Sequence, residues 1–116
     1  MPDWASIEKS FLRISRQQQL GELASSLSRF KAWSLAGKAN NEVASVILDE
    51  SILYVSLIQK YCSIAELTEL QKQLLDWRSE WTTLREYETE LNDVCKLSAT
   101  WSDRVLDMSG LLELVK

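Results

Sequence analysis

Residues 63–84 read "SIAELTELQKQLLDWRSEWTTL", and this stretch decides the fold class. Here and further along the chain, large apolar side chains return every three or four residues, at Leu67, Leu70, Leu74, Trp77, Trp81, Leu84, Leu91 and Cys95. This is the a/d spacing of a helix that buries one face for about four heptads. Since neither glycine nor proline interrupts it before Ser98, the pattern predicts one unbroken helix from Ile64, roughly 50 Å long.

The first third of the chain is also helical in pattern. Apolar residues recur at helical spacing in two sets, Trp4, Ile7, Phe11, Ile14 and then Leu20, Leu23, Leu27, Phe30. On a helical wheel the two sets point to nearly opposite sides. Either the chain breaks between Arg16 and Gly21 or one long helix serves two partners, and we favour the break because Gly21 and the glutamines around it offer no apolar anchor.

A second helix boundary is predicted near Gly37, where a glycine suits the end of a helix. Asn40 or Asn41 can cap the helix that follows. Its apolar stripe is Val43, Ile47, Tyr54, Leu57 and Tyr61. Ser63 and Glu66 have capping-box spacing, so this helix is expected to end near Cys62. After Thr100 we expect a short helix that is weakened at Gly110.

These elements predict a single all-α domain over residues 1–116, an antiparallel bundle of three to four helices with a long C-terminal helix. That helix exceeds its partners in length, so part of its Trp-bearing face should lack cover within the chain. We therefore expect Trp77, Trp81 and Leu84 to form an interface, in a homodimer or with another protein. Burial of the Trp pair in the core and a ligand platform are the alternatives.

Composition excludes several classes of function. The net charge is −4 and no basic stripe with interleaved aromatics is present, so nucleic acid is not expected as a partner. The longest apolar run is the four residues "ILYV", too short for a membrane span, and the N-terminal residues do not resemble a signal peptide. A cytoplasmic location follows as the expectation. Without histidine, any chemistry must rely on carboxylates, and Cys62 and Cys95 are expected to be free thiols.

Two carboxylates interrupt the apolar stripes. Glu50 falls in the centre of the stripe of the third helix, and Glu88 takes the heptad position between Leu84 and Leu91. A desolvated carboxylate costs several kcal/mol unless it is paired, protonated or bound to a metal. Each of them therefore meets a Lys or Arg, lies at an open end of the fold, or belongs to a cation site between helices.

Two stretches resemble a known family. Residues 18–24, "QQLGELA", and residues 46–63, "VILDESILYVSLIQKYCS", are similar to the E-x-x-E and E-x-x-D motifs of the MazG-like all-α nucleoside triphosphate pyrophosphohydrolases. The resemblance implies that Glu22 and Glu50 bind Mg²⁺, which in that family grips the triphosphate and activates water. Gln19 and Ile47 stand where the family has glutamates, and Glu50 stands where it has aspartate.

Three functions follow as hypotheses. The leading one is a small cytoplasmic helical protein that works through association as a homodimer, with a MazG-like fold and a degenerate metal site. The first alternative is a magnesium-dependent nucleoside triphosphate pyrophosphohydrolase, with a nucleotide as its ligand. The second is a subunit that binds a protein partner through an exposed Trp/Leu helix face.

Overall fold

The protein is all-helical, as predicted. In the computed structural model, which describes residues 2–110, there are six α-helices and no strands. They are α1 (Trp4–Arg13), α2 (Arg16–Leu35), α3 (Asn41–Cys62), α4 (Ala65–Ser79), α5 (Trp81–Leu84) and α6 (Glu88–Ser109). A short 3₁₀ turn, Lys38–Asn40, connects α2 to α3. No helix in this range is long and apolar enough to cross a membrane.

The predicted break in the first third of the chain exists, but it lies at Ser15. Ile14 is extended, with φ −90° and ψ 163°, and α2 begins two residues later, at Arg16. The Ser15 hydroxyl accepts a hydrogen bond from the Gln18 amide at 3.1 Å, and the Gln18 side chain accepts one from the Ser15 amide at 3.1 Å. This reciprocal capping box stabilises the start of α2. Gly21 consequently lies inside α2 and breaks nothing.

The connection between α2 and α3 depends on Gly37. Its φ is +111°, a conformation that side chains with a Cβ rarely adopt, so the glycine ends α2 as predicted. Asn40 precedes α3 but does not cap it by a side-chain hydrogen bond. Its amide instead donates to the carbonyl of Ala36 at 3.3 Å, which closes the last turn of α2.

α3 ends at Cys62 as predicted, but the capping box expected from Ser63 and Glu66 is absent. Ile64 occupies the N-cap position of α4 and makes no side-chain cap. Gln59 takes over this role, since its side-chain oxygen accepts a hydrogen bond from the Ile64 amide at 2.7 Å.

The prediction of one unbroken helix from Ile64 to Ser98 is wrong. The chain turns at Glu80 and again between Leu84 and Glu88, which divides it into α4, α5 and α6. Trp77 near the end of α4 and Trp81 at the start of α5 both lie against Phe30 of α2, with ring centroids 6.1 and 5.5 Å from that of Phe30. Burial of the two indole rings stabilises this part of the fold.

The short helix expected after Thr100 is also wrong, because Thr100 lies within α6. α6 continues to Ser109 and ends at Gly110 in the left-handed conformation, with φ +72°. The weak point predicted at Gly110 is therefore the helix end itself. The residues that follow, 111–116, lie outside the described residues.

α2 is the central element and packs against both α3 and α6. Small polar side chains line its contact with α6. The Ser98 hydroxyl donates to the carbonyl of Leu27 at 2.8 Å, and the Ser102 hydroxyl donates to the carbonyl of Ala24 at 2.7 Å. Serines at these positions let the two backbones approach closely while their hydroxyls remain satisfied.

Both cysteines are free, as predicted. The chain between them is not one straight helix, since it breaks at Ser63 and at two later turns. Cys62 is exposed at the end of α3, whereas Cys95 is buried in α6. Burial raises the pKa of the Cys95 thiol, and the Ser34 hydroxyl and Lys31 oppose this rise more weakly.

Candidate functional site

Glu50, the carboxylate predicted to interrupt an apolar stripe, has two partners on α2. It accepts a hydrogen bond from Arg29 Nη2 at 2.6 Å and from the Ser26 hydroxyl at 2.9 Å. The Ser26 hydroxyl also lies 2.8 Å from that of Ser51 on α3. The side chains of Arg29 and Glu50 are 45% and 17% exposed, so the charge pair lies at the edge of the α2–α3 contact.

Glu88 does not interrupt the core. Because the chain turns after Leu84, Glu88 becomes the first residue of α6 and is exposed. A carboxylate in the first turn of a helix interacts favourably with the backbone dipoles there. Its heptad position therefore does not place a carboxylate in the core.

Glu22 lies on the same side of α2 as Ser26, one helical turn earlier, and is exposed. It lines a cleft of about 350 Å³ where α1 meets α2 and α3, together with Tyr54 of α3. Burial is the main cause that raises the pKa of Tyr54, and the negative charges of Glu50 and Glu22 raise it further. The two acids predicted as metal ligands therefore both act on one side chain, Tyr54.

The residues at this corner do not fit a magnesium ion. Within residues 2–110 no group of three or more Cys, Asp or Glu side chains is arranged to hold a metal. The Glu50 carboxylate is already held by Arg29. The remaining positions of the motif contribute no carboxylate, because Ile47 is a hydrocarbon side chain and Gln19 is a neutral amide that is buried and donates to the Phe11 carbonyl at 3.1 Å. Mg²⁺ prefers several hard oxygen ligands in octahedral geometry.

Replacing Glu50 by glutamine should lower the free energy of unfolding by about 1 kcal/mol, because the charge pair with Arg29 is lost. The loss stays small because Arg29 is half exposed and water solvates it. Mg²⁺ at millimolar concentration should leave the melting temperature of both proteins unchanged. Thermal and urea denaturation followed by circular dichroism measure both quantities.

The matched control for this change is Asp49→Asn. Asp49 pairs with Arg78 at the same 2.6 Å separation, but its side chain is 38% exposed, so its loss should cost only a few tenths of a kcal/mol. A gain in stability for Glu50→Gln would instead mean that repulsion from Glu22 dominates at Glu50. A rise in melting temperature with Mg²⁺ that disappears in Glu50→Gln would support a metal site at Glu50.

The expectation that Trp77, Trp81 and Leu84 form an uncovered face is wrong. Their exposed fractions are 6%, 3% and 8%, and all three belong to the hydrophobic core. The physical reason is the chain reversal around α5, which folds this face onto Phe30 of α2 rather than extending it past the end of its neighbours.

A different set of apolar side chains is exposed on α2 and α3. Trp33, Val43 and Val46 are 40%, 40% and 37% exposed, and we refer to them as the Trp33 strip. The stripe pattern of the sequence included Val43 as a core position, and Trp33 belonged to none of the predicted stripes. The signal for Trp33 was available, since an aromatic residue outside the apolar stripe of a helix must face solvent or a partner.

Comparison with known proteins adds no relative: no family model, no curated protein and no solved structure matches this chain. The likeness to the MazG-like family therefore rests on the two motifs alone.

Proposed function

We propose that the protein works through association, as a homodimer held together by the Trp33 strip. The observation that carries this proposal is Trp33 itself, a large aromatic side chain that is 40% exposed although the core buries Trp77, Trp81 and Trp101. Tryptophan is enriched among the residues that dominate interface energies. Cys62 and Cys95, both unpaired, are typical of a reducing compartment, so we assign the association to the cytoplasm.

The Trp33 strip is continuous if the long helices form an antiparallel bundle, which we infer from the order of their contacts. Ser26 of α2 contacts Ser51 of α3, and Arg29 of α2 contacts Glu50 of α3. Residue numbers therefore increase along α2 in the direction in which they decrease along α3. Trp33 is one turn beyond Arg29, and Val46 is one turn before Glu50. This register makes Trp33 and Val46 neighbours, with Val43 on the following turn.

Charges at the two ends of the strip favour one way of pairing two copies. Arg29 lies at one end, where it is half exposed and pairs with Glu50 through Nη2, so its other guanidinium N–H groups can still donate, and Glu42 is exposed at the other end. A two-fold axis perpendicular to the helices brings Arg29 of one copy beside Glu42 of the other, whereas a parallel axis brings like ends together. The first arrangement gives attraction and apolar contact at once, so we propose it for the dimer.

Replacing Trp33 by aspartate should weaken dimerisation at least about 30-fold, because a charge then replaces the central aromatic contact. Sedimentation velocity over a micromolar concentration range measures this, and a circular dichroism melt checks that the variant is folded. Leu75→Asp is the matched control, since Leu75 is 51% exposed on α4, a helix that contributes no residue to the strip, and its substitution should leave the dimer intact. A parent protein that stays monomeric at about 100 micromolar, or equal weakening by both variants, would overturn the proposal.

A magnesium-dependent pyrophosphohydrolase is the alternative that the two motifs around Glu22 and Glu50 suggest by their resemblance to the MazG-like family. Its weakness is the pairing of Glu50 with Arg29, and the magnesium melts of the Glu50→Gln experiment test it. A partner-binding subunit that uses Trp77, Trp81 and Leu84 would first have to unfold its own core.

A further inference from the structure

The cleft beside α1 combines an apolar wall with an acidic rim. Its volume is about 350 Å³, which is within the usual range for a small-molecule site. Ile7, Phe11 and Ile14 supply the wall from the α1 side, and Tyr54 supplies it from α3. Glu22 and Ser10 stand at the rim.

The charge at the rim is negative and uncompensated. Within residues 2–110 the Glu22 carboxylate makes no ion pair and no hydrogen bond. Arg29 lowers the pKa of Tyr54 and so opposes the effect of the two acids. Its Nη2 is paired with Glu50, not with Glu22. Tyrosine is protonated at neutral pH, and burial with the two acids raises the pKa of Tyr54 further, so its hydroxyl oxygen can accept a hydrogen bond.

The wall suits a hydrocarbon chain rather than a flat ring. The rings of Phe11 and Tyr54 are stacked, with centroids 4.2 Å apart and planes 8° from parallel. Each ring covers one face of the other, and since Phe11 and Tyr54 are only 4% and 8% exposed, the half-buried aliphatic side chains of Ile7 and Ile14 supply most of the surface that can contact a ligand. Such a surface binds methylene groups through the hydrophobic effect without a preference for aromatic stacking.

The geometry points to a binding site for a small alkylammonium ligand in this cleft. The ammonium group donates to the Glu22 carboxylate and to the Tyr54 hydroxyl, and the alkyl chain lies against Ile7, Phe11 and Ile14. A carboxylate on the ligand would be repelled by Glu22, and an uncharged ligand would leave Glu22 without a partner. The site shares no residue with the Trp33 strip, so its test is independent of the dimer proposal.

Calorimetric titration with n-hexylammonium chloride, 1-hexanol and sodium hexanoate tests the chemical class. The three ligands have the same alkyl chain and differ in charge. We expect one site for hexylammonium, binding by hexanol that is weaker by about tenfold, and no binding by hexanoate. Equal affinities for the ammonium ion and the alcohol, or no heat from the ammonium ion at millimolar concentration, would overturn the proposal.

Two variants and one control variant test the position of the site. Glu22→Gln should weaken hexylammonium binding by about tenfold, whereas Glu66→Gln, which removes an exposed carboxylate from the first turn of α4, should leave it unchanged. Tyr54→Phe retains the stack with Phe11 and should also weaken binding, since the phenolic acceptor is lost. Equal effects of the Glu22 and Glu66 variants would show that the ammonium ion responds only to net charge and would refute the site.

Discussion

Replacing Trp81 by alanine should lower the free energy of unfolding by about 3–5 kcal/mol. Trp81 is 3% exposed and contacts Phe30, which is fully buried. The loss is a large fraction of the total stability of a domain of this size. Urea denaturation followed by circular dichroism measures it, with sedimentation of the folded fraction to show that the oligomeric state has not changed.

The control for this experiment is phenylalanine at the same position. The indole Nε1 of Trp81 is buried and finds no acceptor in the described part of the chain, so Trp81→Phe loses volume but also relieves an unsatisfied donor. Trp101→Phe should cost more, because the Nε1 of Trp101 donates to the Gln73 side chain at 2.7 Å. If Trp81→Ala left stability unchanged but dissociated a dimer, Trp81 would be an interface residue and the core assignment would be wrong.

The sequence pattern identified the apolar faces more reliably than the path of the chain. The break before α2, the end of α2 and the end of α3 were predicted within a few residues, because Ser15, Gly37 and Cys62 coincide with changes in the apolar pattern. The long C-terminal helix was not predicted correctly. Heptad spacing indicates which side chains are buried but not whether the helix is straight. A chain that turns and buries Trp81 against Phe30 has the same spacing of apolar residues as one straight helix.

The candidate site was predictable only in part. Glu50 stood out because it interrupts an apolar stripe, and Glu22 stood out through the family resemblance. The partner of Glu50 was missed, although Arg29 lies two turns after Glu22 and therefore on the same side of α2. Choosing between a cation site and an ion pair required the register of α3 against α2, which depends on packing across the whole contact and is not encoded in either helix alone.

Replacing Phe11 by alanine should release α1 from the rest of the protein. Phe11 is the only buried side chain that α1 contributes, and its ring stacks on Tyr54. Loss of a buried aromatic side chain costs about 3–5 kcal/mol, and local opening can absorb this cost without global unfolding. Hydrogen exchange of the α1 amides should therefore accelerate by about a hundredfold or more, while exchange in α2 and α6 stays slow.

Leu12→Ala is the matched control for this change, because it removes the neighbouring side chain from the same helix. Leu12 is 39% exposed, so its loss should have little effect on exchange in α1. The comparison also bears on the cleft, since Ile7, Phe11 and Ile14 form its wall only while α1 is docked. We expect Phe11→Ala to abolish hexylammonium binding and Leu12→Ala to preserve it. Equal exchange rates in the two variants would mean that the Gln19 hydrogen bond to the Phe11 carbonyl, together with Ile7 and Ile14, holds α1 without the aromatic stack.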